Sequence, residues 1–207
     1  MSLVDSLIST GYLKTPRIIE AFKDVDRADF LPEELKDAAG MNQAMPIGFD
    51  QTISQPLVVA FMLEELSPEP GQKVLDIGFG SGWTTALLAK IIGSGGLVVA
   101  VEIIEGLYKM GEENLEKYHF SNVKLRLGDW HQQIGEDEKF DRIQAACSPL
   151  VVPPQLKLAL NTKGRLVLPV EHDKWGDQSV KTIVRLGDDR FEEQDHPGFR
   201  FVSMVDK

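Results

Sequence analysis

The chain has little cysteine: Cys147 is the only one among 207 residues, so no disulfide can form within the chain. A single thiol is typical of proteins that work in a reducing compartment. No apolar run approaches the roughly 20 residues of a membrane-spanning helix. The first residues also lack the basic and then apolar pattern of a secretion signal. We therefore expect a cytoplasmic protein with no membrane partner.

Positive charge is also scarce. The 22 lysines and arginines are outnumbered by 32 aspartates and glutamates, which gives a formal net charge of −10. A surface of this sign repels polyanions on average, so we expect no nucleic-acid partner. The four histidines show none of the spacings that hold a metal ion, and no metal site is predicted. We expect the protein to be a monomer.

What the chain does have is enough apolar sequence for a full core, divided into two parts. With 43% apolar residues, 207 residues can form one compact unit without disulfides or metals. Residues 1–70 look helical, because Thr15 can cap a helix that starts at Pro16 and Pro56 opens another. We interpret residues 1–70 as a helical N-terminal addition that contributes substrate-site residues, and residues 71–207 as the core.

The core alternates between continuous apolar strands and helices, which is typical of a parallel sheet covered on both faces. We predict strands near 73–77, 97–101, 123–127, 140–145 and 164–170. Helices are predicted between them, near 83–92, 105–118 and 154–161. Two further strands, near 179–186 and 199–204, can complete the sheet with an antiparallel edge. The predicted fold is α/β: a Rossmann-like, doubly wound, mostly parallel sheet with helices on both faces.

The most informative segment is the turn after the first strand of the core. Glycines stand at 78, 80 and 82, and Glu102 follows the second strand. Such a turn lets a backbone approach a ligand, while a carboxylate at a strand end accepts hydrogen bonds from ribose hydroxyls. Asp129, after the third strand, can accept from an adenine amino group, and Trp130 can stack on the ring. Each residue alone has an ordinary structural explanation, but together they predict a nucleoside-bearing cofactor.

The spacing of the glycines narrows the kind of cofactor. A dinucleotide-binding fingerprint needs its third glycine at position 83, which is Trp83. The spacing instead resembles the first motif of class I methyltransferases, which hold S-adenosylmethionine. The cofactor-binding residues that this resemblance implies are Asp76, Gly78, Phe79, Gly80, Ser81, Gly82, Glu102, Asp129 and Trp130.

A second segment, residues 48–56, carries a more specific resemblance. It is similar to the signature that precedes the cofactor motif in the protein-L-isoaspartate O-methyltransferases, and residues 200–202 also resemble a family segment. The resemblance implies an enzyme that repairs damaged peptides and proteins by methylating the free α-carboxylate of L-isoaspartyl residues. It implies Ser54 as the hydroxyl at the reacting carboxylate, with Asp76 orienting it. The peptide-binding residues that it implies are Thr52, Ile53, Gln55 and Val202.

The implied chemistry asks little of the protein, because a carboxylate is already ionised at neutral pH and needs no strong general base. Cys147 is accordingly predicted to be buried filler rather than a nucleophile. Several positions depart from the family pattern: Phe79 for a serine or threonine, Trp130 for a glycine, Glu171 for a glycine, and a longer segment around Cys147 and Ser148.

These departures border the predicted cleft, so two alternatives stay open. One is a related methyltransferase with a different acceptor, such as a modified peptide, a small molecule or RNA. The other is a binding module that keeps the cofactor fold without catalysis. Ser54 has an alternative of its own, since its hydroxyl can also cap the helix that begins at Pro56.

Overall fold

The structure is a computed structural model that describes residues 1–171 and 178–204, and it is built around one large sheet. Its strands are β1 (Met45–Gly48), β2 (Gln51–Ile53), β3 (Lys73–Ile77), β4 (Leu97–Glu102), β5 (Val123–Leu127), β6 (Phe140–Ala145), β7 (Leu160–Glu171), β8 (Gln178–Arg185) and β9 (Phe191–Phe199). Strands β1 and β2 form a separate antiparallel hairpin. The other seven lie in the order β5-β4-β3-β6-β7-β8-β9.

The sheet is parallel from β5 to β7, and β8 and β9 run antiparallel at one edge. Chain order reverses at β3, because β4 pairs on one side of it and β6 on the other. Ligands of such sheets bind beyond the carboxyl ends of the strands at this reversal. The predicted doubly wound fold with an antiparallel edge is confirmed, and the turn after β3 lies at the reversal.

Helices cover both faces of the sheet. They are α1 (Leu3–Ser9), α2 (Pro16–Asp24), α3 (Pro56–Leu66), α4 (Trp83–Ile92), α5 (Glu105–Glu116), α6 (Trp130–Gln133) and α7 (Pro154–Leu158). Side chains of α1 to α5 share one buried apolar cluster with the sheet, and those of α6 and α7 belong to a second cluster on the other face. Strands β3 and β4 are buried on both sides, which explains their continuous apolar sequence.

The first 70 residues share the larger of these two clusters with the sheet. Leu7 of α1, Ile18 of α2 and Phe30 of a short 3₁₀ turn are buried in the same cluster as side chains of α4. Thr15 stands at the N-cap of α2, but its hydroxyl donates to Glu64 of α3 at 2.6 Å instead of capping its own helix. The division at residue 70 therefore stays an interpretation of the sequence, since apolar packing crosses it.

Two details of the sequence interpretation need correction. Residues 1–70 were expected to be helical, but residues 45–48 form β1, where alternate side chains are buried. The last strand was expected near 199–204 and instead spans Phe191–Phe199, leaving only an isolated bridge between Ser148 and Ser203. Four consecutive exposed polar side chains had hidden this edge strand, because an edge with one solvated face needs no apolar alternation. One of the four histidines, His172, and one of the three tryptophans, Trp175, lie outside the described residues.

Two kinds of feature are absent from residues 1–171 and 178–204. None of the helices in these ranges combines the length and apolar character that a bilayer crossing needs. The same ranges contain no group of three or more histidine, cysteine or acidic side chains that could hold a metal ion.

Candidate active site

The turn after β3 forms a tight bend that glycine makes accessible. Gly78, Gly80 and Gly82 all have positive φ, at 75°, 56° and 95°, in the left-handed region that side chains disfavour. Gly78 donates its N–H to the carbonyl of Val101 in the neighbouring strand at 2.8 Å. Gly82 then occupies the N-cap of α4. The bend thus presents main chain without side chains at the reversal of the sheet.

Glu102 holds this bend from the end of β4. Its Oε2 accepts from the N–H of Gly80 and its Oε1 from the N–H of Ile104, both at 2.9 Å. The side chain is buried, and burial raises the pKa of the Glu102 carboxyl. Each carboxylate oxygen keeps a further lone pair. A ligand with two adjacent hydroxyls can therefore bind Glu102 without displacing the backbone.

Asp129 and Trp130 follow β5 as predicted and begin the short helix α6. Asp129 caps that helix by accepting from the N–H of His131 at 2.9 Å, and the same oxygen lies 3.0 Å from His131 Nδ1. Trp130 is buried in the second apolar cluster, and its ring lies against that of His131 with centroids 3.6 Å apart. Both Asp129 and Trp130 line a cavity beside the bend.

Phe79, one of the departures from the family pattern, does not obstruct the bend. Its ring points toward α5, 5.8 Å from the ring of Tyr108. It packs on Gly111 so closely that a Cβ there would lie 2.4 Å from Phe79 Cε2. Phe79 is absent from the lining of the cavity beside the bend. A glycine on α5 therefore accommodates the aromatic ring in the bend.

Asp76 lies inside the fold, behind the bend. It is fully buried, its Oδ2 accepts from Thr85 Oγ1 at 2.6 Å, and its Oδ1 accepts from Gln144 Nε2 at 3.0 Å. Burial raises the pKa of the Asp76 carboxyl. The structure gives it no contact with Ser54 among the described residues. Because both oxygens join β3 to α4 and β6, the expected orienting role at Ser54 has no contact to support it.

The cavity beside the bend, called the inner cavity below, encloses about 660 Å³ including its open mouth. Hairpin β1–β2 covers one side, where Ile47 approaches Gly80. Seven of the predicted site residues line it: Thr52, Gly78, Gly80, Glu102, Asp129, Trp130 and Val202.

A second hollow, called the outer groove below, lies beside the inner cavity and measures about 1040 Å³ including open space. Its lining includes Thr52, Ser54, Gln55 and Val202 from the predicted peptide-binding set. Thr52, Ala146 and Val202 line both hollows, so these three residues form a shared wall. A group in the outer groove can therefore meet a ligand in the inner cavity at this wall.

The remaining predicted residues lie around the outer groove and the bend. Ser54 does not cap α3, because Gln55 occupies the N-cap and no side-chain cap bond is present. The Gln55 amide donates to the carbonyl of Asn42 at 3.0 Å. Ile53 is buried in the larger apolar cluster. Ser54, Ile53 and Ser81 also line a small hollow beneath the bend.

Arg27, which the sequence had not singled out, fixes the backbone beside Ser54. It is buried, and it donates hydrogen bonds of 2.9–3.2 Å to the main-chain carbonyls of Ala39, Met41, Gln43 and Ser54. Its guanidinium lies 5.3 Å from the ring centroid of Trp83, and no ion pair involves it among the described residues. Burial lowers the pKa of Arg27 to about 10.

Replacing Arg27 with methionine is expected to lower the free energy of unfolding by roughly 3 kcal/mol, because charge-assisted hydrogen bonds are lost and carbonyls are left unsatisfied. The free energy of unfolding of Arg27→Lys should lie between those of the wild type and Arg27→Met, since one ammonium cannot reach all four carbonyls. Urea unfolding followed by circular dichroism measures both. Arg190→Met, at an exposed arginine without an ion pair in the described chain, is the control. An equal, small effect of Arg27→Met and the control would contradict this role.

Two further residues that the sequence interpretation missed lie after β6. Ala146 belongs to the shared wall, and Cys147 lines the inner cavity instead of serving as buried filler. Cys147 Sγ would lie 3.5 Å from a Cβ built on Gly78. The sequence contained a signal for both residues, because they directly follow β6, a strand beside the sheet reversal. The carboxyl end of such a strand faces the ligand crevice.

Comparisons with known proteins agree with this geometry. The family model described as protein-L-isoaspartate(D-aspartate) O-methyltransferase matches residues 1–207. A protein-L-isoaspartate O-methyltransferase of Methanopyrus kandleri is 36% identical over 207 residues, covering 98% of this chain and 89% of the relative. One from Myxococcus xanthus is 42% identical over 178 residues, covering 86% of this chain and 82% of the relative.

Solved structures share the fold at lower identity. A protein-L-isoaspartate O-methyltransferase superimposes with a TM-score of 0.89 at 24% identity, over 99% of this chain and 65% of that chain. A candidate protein-L-isoaspartate O-methyltransferase of Plasmodium falciparum, in complex with S-adenosyl-L-homocysteine, gives a TM-score of 0.87 at 23% identity. That superposition covers 98% of this chain and 96% of the Plasmodium chain. The likeness extends over the whole fold, including the N-terminal helices.

Proposed function

Because the chain belongs to the protein-L-isoaspartate(D-aspartate) O-methyltransferase family, we propose that it methylates the free α-carboxylate of L-isoaspartyl residues in damaged peptides and proteins. The methyl donor is S-adenosylmethionine. The observation that carries the proposal is the wall of Thr52, Ala146 and Val202 between the inner cavity and the outer groove. A methyl group can pass from one hollow to the other only where they meet.

The inner cavity fits this cofactor by its polar groups and its accessible main chain. Glu102 suits the two ribose hydroxyls, Asp129 suits an adenine amino group, and the glycine bend leaves the main chain accessible. Trp130 offers an aromatic wall on the same side. When bound, S-adenosylmethionine supplies a sulfonium methyl group that is already activated for transfer.

The residues of the chain then have to position the acceptor. An α-carboxylate has a reference pKa of about 3.3–3.7, so at neutral pH the acceptor oxygen needs no general base. The hydroxyls of Thr52 and Ser54 can donate hydrogen bonds to the carboxylate and fix its approach. Positioning of this kind can supply most of a rate acceleration when the reacting atoms are held in line. Arg27 assists indirectly by holding the carbonyl of Ser54.

The test offers the purified protein and labelled S-adenosylmethionine an isoaspartyl peptide beside its normal aspartyl twin. We expect base-labile methyl ester on the isoaspartyl peptide alone. If the cofactor binds but neither peptide is methylated, the proposed substrate is wrong. The protein would then be a methyltransferase with another acceptor. Absence of cofactor binding would overturn the enzymatic role itself.

Ser54→Ala is expected to lower kcat/KM for the isoaspartyl peptide by about 10- to 100-fold, because a hydrogen bond to a charged group contributes about 1.5–3 kcal/mol. Binding of S-adenosylhomocysteine, measured by titration calorimetry, should not change. Ser94→Ala is the matched control, since Ser94 is exposed in the loop before β4. Full activity of Ser54→Ala, or an equal loss in the control, argues against this role for Ser54.

A further inference from the structure

The outer groove has a mostly apolar wall with one charged side chain. Tyr12, Leu57, Val58, Phe199 and Phe201 supply much of its surface. Among the described residues that line it, Arg200 is the only one that carries a charge. In a chain with a net charge of −10, a lone cation beside a predicted carboxylate site is unusual.

Arg200 is available to a ligand. Its side chain is exposed, and within residues 1–171 and 178–204 it takes part in no ion pair and in no side-chain hydrogen bond. Lys181 on the same edge of the sheet is paired instead, since it lies 3.1 Å from Asp195 and 3.4 Å from Glu193. An arginine without a partner presents a planar fork that matches a carboxylate.

Arg200 lies away from the point of methyl transfer. Val202 belongs to the wall shared with the inner cavity, whereas Arg200 lines the outer groove alone. The Cα atoms of Arg200 and Val202 are at most about 7 Å apart, because only one residue separates them along the chain. Next-neighbouring residues of a bound extended peptide are separated by about the same distance. This position of Arg200 therefore suits a residue beside the isoaspartate better than the reacting carboxylate.

We propose that Arg200 binds a second carboxylate of the substrate, so that the protein prefers isoaspartyl peptides with an acidic side chain or a free C-terminus next to the damaged residue. This inference rests on the proposed function of the same site. An exposed arginine–carboxylate pair has a modest effect, so the expected preference is about 3- to 5-fold in KM with kcat unchanged. It should weaken as ionic strength rises.

The experiment compares four isoaspartyl peptides, with blocked termini except where stated. Three of them carry glutamine, glutamate or lysine at both positions after the isoaspartate and have blocked termini. The fourth carries glutamine at both positions and ends there in a free C-terminal carboxylate. Each is assayed with the wild type, Arg200→Gln and Arg190→Gln. Arg190 is the matched control because it is exposed and immediately precedes β9, at the opposite end from Arg200.

We expect the wild type and Arg190→Gln to prefer the glutamate peptide over the glutamine peptide, and Arg200→Gln to lose that preference. The free C-terminus arm shows whether a main-chain carboxylate can replace the side chain. Unchanged binding of S-adenosylhomocysteine by Arg200→Gln establishes that the variant is folded. Equal KM values for all peptides in the wild type, or a preference that survives Arg200→Gln, overturn this inference alone. Failure to methylate any of the peptides overturns the proposed function with it.

Discussion

Glu102→Ala is expected to raise the Kd for S-adenosylhomocysteine by at least about 100-fold, measured by titration calorimetry. Two hydrogen bonds from a ribose diol to a carboxylate are lost, and such charge-assisted bonds contribute about 1.5–3 kcal/mol each. The variant also frees the N–H groups of Gly80 and Ile104, which Glu102 now holds at 2.9 Å. The bend is therefore loosened at the same time as its ligand loses an acceptor.

The matched control is Glu113→Ala on α5, because Glu113 is exposed and forms no ion pair in the described residues. It removes the same charge with little expected effect on binding. Glu102→Gln should be intermediate, since an amide keeps the shape but accepts at one end only. An unchanged Kd in Glu102→Ala would mean that the cofactor does not bind beside β4.

The raised pKa of Glu102 gives this contact a pH dependence. Ribose hydroxyls donate to the ionised carboxylate, so cofactor affinity should fall as the pH falls through a value above the ordinary 4.5 of a glutamate. In the cofactor-free protein, the free energy of unfolding depends on pH in the opposite direction. A carboxyl with a raised pKa contributes stability below 4.5 that is lost as the pH rises through the raised value. Glu102→Gln should remove the contribution of this carboxyl to the pH dependence of cofactor affinity and of stability.

Gly111→Ala is expected to raise the Kd for S-adenosylhomocysteine by at least about 10-fold and to lower Tm by several degrees, although alanine is favoured over glycine within a helix by about 1 kcal/mol. A Cβ at Gly111 would lie 2.4 Å from Phe79 Cε2 and 2.7 Å from the carbonyl oxygen of Gly80. The ring can rotate, but the carbonyl belongs to the bend. Relief of the contact therefore has to move the cofactor-binding main chain away from α5.

Gly106→Ala tests this argument by making the same exchange in the same helix. Its Cβ would meet the ring of Phe49, which is 55% exposed at the tip of hairpin β1–β2 and can swing into solvent. We expect nearly unchanged cofactor affinity from Gly106→Ala. If both variants bind the cofactor as tightly as the wild type, α5 does not support the bend.

The bend also shows how much of the site could be predicted from sequence. The glycines, Glu102 and Asp129 were recognised because each follows a strand, and the carboxyl ends of parallel strands meet at one edge. The direction of the Phe79 ring could not be predicted in this way. It depends on Gly111, a glycine in the interior of α5 that sequence alone marks only as a weak helix former.

The partners of Asp76 could not be predicted for a related reason. The family resemblance implied a place beside Ser54, but alternate residues of a strand point to opposite faces. Thr85 and Gln144, on α4 and β6, take both of its oxygens. Neither partner could be identified before the packing of those elements was known.

The sequence by itself determined the parallel strands β3 to β7, the helices α4 and α5 between them and their order, because hydrophobic period, prolines and glycines act within a few residues along the chain. It also predicted which residues could hold a nucleoside. Only the tertiary structure decided that Thr52, Ala146 and Val202 share one wall, and that Arg27 reaches the carbonyl of Ser54. Such contacts join segments far apart in sequence, and they arise from the fit of complete surfaces, which no local pattern records.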